Sequence, residues 1–128
     1  MPIVNTLRVR LDDTPGSLAK IANTLGKANI NINGLSVTAD GGRLYVDDTD
    51  KALATLKSAG IPAWTYPAFA IETEDKPGTL GRIASAFAEH GINIDNVFLG
   101  KPNTTGRTTI LFGVSDIPAA TRIEKQIV

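Results

Sequence analysis

Two turns in this sequence carry the same potential chemistry. Asp13-Thr14-Pro15-Gly16 and Asp75-Lys76-Pro77-Gly78 each set a carboxylate three residues ahead of a glycine, and a hydroxyl residue follows, Ser17 or Thr79. Apolar residues then recur at helical spacing, so each turn stands at a helix start. The first N–H groups of a helix have no internal partner and sit at the positive end of its dipole. The backbone of Gly16 and Ser17, or of Gly78 and Thr79, can therefore receive a carboxylate. Glycine keeps a side chain out of the way. Asp13 or Asp75, just outside the helix, can take an ammonium, and such charge-assisted bonds contribute roughly 1.5 to 3 kcal/mol each. Further along, Asn31 and Asn93 each offer an amide with both donor and acceptor. A small ligand with a carboxylate beside an ammonium fits this set.

Each of these residues also has a purely structural reading. Asp13 and Asp75 can act as helix caps or by the dipole, worth about 0.5 to 2 kcal/mol. Gly16 and Gly78 can serve only to close the turn, and Asn31 and Asn93 can satisfy backbone groups at a strand start. The other candidates read as structure. His90 is the only histidine, stands at a helix end where a cation is favoured, and has no cysteine or second histidine to complete a metal site. Trp64 and Tyr66 alternate to one face of a strand and read as core or interface. Arg8 and Arg10, like Glu72 and Glu74, point away from the helices and solvate an open sheet face.

The two turns belong to a repeat. DTPGSLAKIANTLGKANININ, from Asp13, and DKPGTLGRIASAFAEHGINID, from Asp75, align without a gap. Asp13, Pro15, Gly16, Leu18, Ile21, Ala22, Ile30, Asn31 and Ile32 all have identical counterparts. Before the first turn, residues 6–12 alternate, with Leu7, Val9 and Leu11 on one face, which predicts a strand. Leu18, Ile21, Ala22 and Leu25 form a buried helical stripe that Pro15 can open. The helix is expected to end near Ala28, because Asn29 here and Gly91 in the second copy tolerate the left-handed C-terminal conformation. Strands follow at 30–38 and 43–46 around a turn at 39–42. Asp48, Thr49 and Asp50 offer caps to a helix with Leu53 and Leu56 inward and Gly60 as its stop. A fourth strand at 62–66 is expected to break at Pro67.

The second copy restarts with Phe69, Ile71 and Thr73 in the register of Leu7, Val9 and Leu11. It continues with a helical stripe of Leu80, Ile83, Ala84 and Phe87, strands at 92–99 and 107–114, and a turn at 100–106 between them. Ser115 and Asp116 cap a last helix with Pro118 near its start and Ala120, Ile123 and Ile127 inward. The fold class is therefore α+β: two βαββαβ repeats, 1–67 and 68–128, with antiparallel sheets and helices on one face, the second lacking its last strand. The missing strand leaves an edge that invites pairing with the first repeat or with a second copy of the chain.

Composition narrows the function. Repeats of about 60 residues bury only about 60% of their unfolded surface, so the halves are expected to share an interface and the chain to form a homodimer. With 13 basic and 13 acidic residues there is no net field for nucleic acid or a membrane surface. No apolar run approaches the length of about 20 residues that a membrane span needs. The amino terminus, MPIVNTLRVRL, lacks the pattern of an export signal, so a cytoplasmic location is expected. Zero cysteines exclude disulfides and thiolate metal sites. Without cysteine, a Ser–His pair at a motif, or clustered histidines and carboxylates, no catalytic residue and no cofactor is assigned. RNA binding, which shares the topology, is disfavoured because RLYV and RTTIL lack paired stacking aromatics.

The acidic residue before Pro-Gly, the Leu/Ile helix spacing and the Ile-Asn-Ile that opens the next strand, present twice, resemble the ACT domain. The chain departs from the family pattern at Asn29, where a glycine is usual, and at its shortened end. The resemblance implies a ferredoxin-like fold and a non-catalytic, stand-alone regulator that binds a free amino acid at the interface between repeats. The ligand-binding residues would be Asp13, Gly16, Ser17, Asn31, Asp75, Gly78, Thr79 and Asn93, with Asp13 facing Asn93 and Asp75 facing Asn31. The alternative it leaves is an interaction module that regulates a metabolic enzyme in trans without a ligand.

Overall fold

The alternation that starts at Leu7 closes a small core once each strand finds its partner. The computed structural model describes residues 3–100 and 104–127. It divides into two bodies: residues 5–66, and residues 67–128 together with the chain's first residues up to Val4.

In the first body, β1 (Ile3–Val9) pairs antiparallel with β3 (Gly41–Val46), Leu7 opposite Leu44 and Val9 opposite Gly42. β2 (Ile32–Thr38) flanks β3 on its other side. The first residues of β4 (Ala63–Glu74) lie beside β1, to give the order β2-β3-β1-β4. There Arg10 N–H donates to the Pro62 carbonyl at 2.9 Å and the Thr6 hydroxyl to that of Tyr66 at 2.7 Å. Two helices, α1 (Ser17–Lys27) and α2 (Thr49–Ser58), lay Ile21, Leu25, Ala52 and Leu56 on Leu7, Val9, Leu44 and Val46. The predicted stops hold: Asn29 has a φ of 59° and Gly60 of 75°. Asp48 caps α2 by accepting from the Lys51 N–H at 3.1 Å.

The second body repeats the plan in the order β4-β6-β5, with β5 (Ile94–Leu99) and β6 (Arg107–Val114). Phe69 lies opposite Phe112 and Ile71 opposite Ile110. The helix α3 (Thr79–Glu89) brings Ile83 and Phe87 to this face, and the Phe87 and Phe112 rings meet with centroids 5.4 Å apart. Asp116 caps α4 (Ile117–Arg122) by accepting from Ala119 N–H at 3.0 Å. Ile3 and Val4 group with this body.

Four expectations are corrected. β1 covers 3–9 rather than 6–12, because its register against β3 runs out where β3 begins at Gly41, opposite Arg10. β4 runs through Pro67 instead of breaking there; the ladder to β6 starts at Phe69, so the missing proline N–H removes no bond to β6. Leu18 and Leu80 are 40% and 46% exposed, not core, because they stand on the first helical turn beside the loop that leaves the strand. The last helix is two short pieces, α4 and α5 (Glu124–Ile127), although Ala120, Ile123 and Ile127 are buried as expected. Of the turn at 100–106, residues 101–103 lie outside the described residues.

Candidate functional site

Gly16 and Gly78 both take φ 89° and act as the helix N-caps, with no side-chain cap bond. Only glycine adopts this left-handed conformation freely. A Cβ at either position would meet nothing within 4 Å, so the backbone angle, and not crowding, demands glycine. Asp13 and Asp75 are exposed and do not cap the helices. The first intrahelical bonds run from Lys20 N–H to the Gly16 carbonyl and from Arg82 N–H to that of Gly78, both 3.0 Å. The N–H groups of Leu18 and Ala19, and of Leu80 and Gly81, precede them and lack helical acceptors. Those of Ser17 and Thr79, expected to receive a carboxylate, already make long 3.3 Å turn bonds to the carbonyls of Thr14 and Lys76. The open donors therefore sit one position deeper in each helix.

A cleft lies beside each helix start. In the first body it measures about 130 Å³ and is lined by Arg10, Asp12, Ser17, Lys20 and Pro62 among others. In the second it measures about 260 Å³ and is lined by Glu72, Glu74, Thr79, Arg82 and Arg107. Ser17 and Thr79 occupy matching positions in the two clefts, as do Lys20 and Arg82. Those two cations were missed in the sequence, where a basic residue in a first helical turn reads as solvated surface; their matching charge in both copies was the available signal. The Arg82 guanidinium donates to the Ile127 carbonyl at 2.9 Å. The rims differ: Thr14 and Ser17 hydroxyls meet at 2.8 Å in the first copy, whereas Lys76 pairs with Glu74 at 2.9 Å in the second. The hydrogen bond from Lys76, reinforced by its charge, holds the Glu74 carboxyl below the usual carboxylate range.

Asn31 and Asn93 lie past the other end of their helices. Each amide donates to the residue two positions on, Asn31 to Asn33 Oδ1 at 2.6 Å and Asn93 to Asp95 Oδ1 at 3.1 Å. Eleven helical residues, roughly 16 Å, separate turn from asparagine inside one repeat, so neither body brings its own pair together. His90 is exposed, with Nδ1 2.9 Å from the Ala86 carbonyl. Among the described residues no group of three or more His, Cys, Asp or Glu could hold a metal ion, and no helix is long and apolar enough to cross a membrane.

The family model of the ACT domain matches residues 5–58 and 69–127. The acetolactate synthase small subunit of Mycolicibacterium smegmatis is 36% identical over 72 residues, which are 55% of this chain and 40% of that one. This chain thus matches well under half of that relative's length. Among solved structures, a Bacteroides thetaiotaomicron protein superposes with a TM-score of 0.83 at 22% identity, over 97% of this chain and 88% of that one. The ligand-free regulatory subunit of aspartate kinase from Thermus thermophilus gives 0.66 at 18% identity, over 99% and 95%. At these identities the two structures speak for the fold.

Proposed function

Because the chain belongs to the ACT domain family, we propose that it is a non-catalytic cytoplasmic regulator whose helix-start turns bind a free amino acid. The observation that carries this reading is the duplicated turn. Gly16 and Gly78 share one left-handed conformation, each beside an exposed aspartate and open helical N–H groups. The donors receive the carboxylate, Asp13 or Asp75 takes the ammonium, and Ser17 or Thr79 borders the cleft. Asn31 or Asn93 completes the site from a facing repeat. Regulation of a metabolic enzyme is supported by the relative named as a synthase small subunit.

Screening the common amino acids against the apo protein by calorimetry tests this. Binding of one of them, weakened about tenfold or more by Asp13→Ala or Asp75→Ala, is expected from the loss of one charge-assisted bond. No binding by any of them at concentrations far above physiological overturns it.

A ligand-free interaction module is the second reading, favoured by the edge strands. Leu35 and Val37 on β2, and Val97 and Leu99 on β5, stand 38% to 60% exposed. Homodimerisation or docking on an enzyme would cover them, and this reading predicts that Asp13→Ala and Asp75→Ala leave partner binding unchanged.

A further inference from the structure

On the face of the first body that turns away from its helices, two arginines meet. Arg8 on β1 lies directly opposite Arg43 on β3, and Ser36 on β2 lies opposite Arg43 on the other side. Cross-strand partners share a face with Cβ atoms about 4.5 to 5.5 Å apart, and like charges so placed destabilise a sheet. Neither arginine is in an ion pair among the described residues. Each is instead held against an aromatic ring: Arg8 sits 5.8 Å from the Trp64 centroid and Arg43 4.6 Å from that of Tyr66. Trp64 and Tyr66 are two residues apart on one strand, so they project from the same face. The two guanidinium groups therefore lie over neighbouring rings on one face of the sheet. Arg43 is half-buried, and its Nη1 is fully buried with no acceptor.

The fold does not require this arrangement. The matching cross-strand pair in the second body is Ala70 opposite Leu111, both buried and apolar. Beside the arginines is a cleft of about 260 Å³ lined by Arg8, Ser36, Thr38, Asp40, Gly41, Gly42 and Arg43. Two planar cations, oriented by rings and flanked by the Ser36 and Thr38 hydroxyls, match the oxygens of a small dianion. The Thr38 hydroxyl also accepts from Asp40 N–H at 3.2 Å. The Asp40 carboxylate stands on the rim and opposes an anion.

We propose that the open face of the first repeat is a binding site for a small dianion, a phosphate group or a dicarboxylate, clamped between Arg8 and Arg43. None of its residues belongs to the helix-start turns, so the proposal does not depend on the amino-acid reading.

Trp64 is the only tryptophan in the chain, which makes intrinsic fluorescence a direct reporter of the clamp. Inorganic phosphate and succinate are titrated separately into the full chain at constant ionic strength set with chloride. A saturable change with phosphate alone assigns a phosphoryl ligand, and one with succinate alone or with both assigns a dicarboxylate-accepting site. Arg43→Gln and Arg43→Lys each weaken binding about tenfold or more, the lysine because it loses the planar fork. Asp40→Asn strengthens binding, an outcome that a merely structural arginine pair would not produce. Arg122→Gln, in the other body, leaves it unchanged. No saturable response to either anion beyond the chloride control, or an affinity that ignores both Arg43 variants in protein that unfolds like wild type, overturns the proposal.

Discussion

Replacement of Gly78 by alanine separates the backbone demand of the turn from its chemistry. At φ 89° an alanine Cβ crowds its own carbonyl, which costs roughly 1 to 2 kcal/mol. No clash adds to this, since nothing lies within 4 Å of the added atom. For a body of this size each kcal/mol shifts the melting temperature by about 4 to 8 °C, so Gly78→Ala is expected to lower the transition by about 4 to 16 °C. Gly81, three residues later inside α3, gives the control. It too has open space around it and no positive φ, so Gly81→Ala stabilises the helix by roughly 0.5 to 1 kcal/mol. The same chemical change thus has opposite signs three positions apart. Calorimetry and urea unfolding of both variants measure this. A Gly78→Ala protein as stable as wild type refutes the left-handed cap, and with it the requirement for glycine in both turns.

Leu25 is fully buried while Leu18, on the same predicted stripe, is 40% exposed. Leu25→Ala should therefore cost about 2 to 5 kcal/mol, and Leu18→Ser no more than about 0.5 kcal/mol, by urea denaturation. Glu74 has its folded-state pKa lowered chiefly by the hydrogen bond from Lys76. Its contribution to stability is present above the unfolded-state pKa and lost as pH falls through the lower folded-state one. In Lys76→Ala the Glu74 carboxyl midpoint, followed by NMR chemical shift, should rise toward the ordinary value; an unchanged midpoint rejects that cause.

What could be read from the sequence follows its two periods. Alternation marked Leu7 and Val9, and later Phe69 and Ile71, as core, and all four are buried. The left-handed stop was legible at Asn29 and Gly91 because few residues tolerate positive φ. Periodicity says which residues share a face but not where the covering layer ends, and so it placed Leu18 and Leu80 in the core. It also cannot show how far a strand finds partners, which decided the limits of β1 and the passage of β4 through Pro67. The glycines, Ser17 and Thr79 were found in the sequence because they are local to one turn. Lys20 and Arg82 were not, since only the chain returning at Pro62 or Ile127 turns a first-turn cation toward a cleft. The Arg8–Arg43 pair is less legible still, because it depends on cross-strand register between distant segments.

The two copies have kept and changed different things. Both retain a glycine cap at φ 89°, and both pair a glycine with a larger residue on the strands behind it, with the glycine on opposite strands. In the first body Gly34 lies opposite Tyr45; in the second Asn96 lies opposite Gly113, and the asparagine leaves no room for a Cβ there. This exchange replaces the side chain that the face presents, Tyr45 in one copy and Asn96 in the other. The same face carries Arg8 and Arg43 in one copy and Ala70 and Leu111 in the other. A turn held constant beside a face left free to vary fits the two proposals: the amino-acid site is proposed at the duplicated helix starts, and the dianion site on the sheet face that differs between the copies.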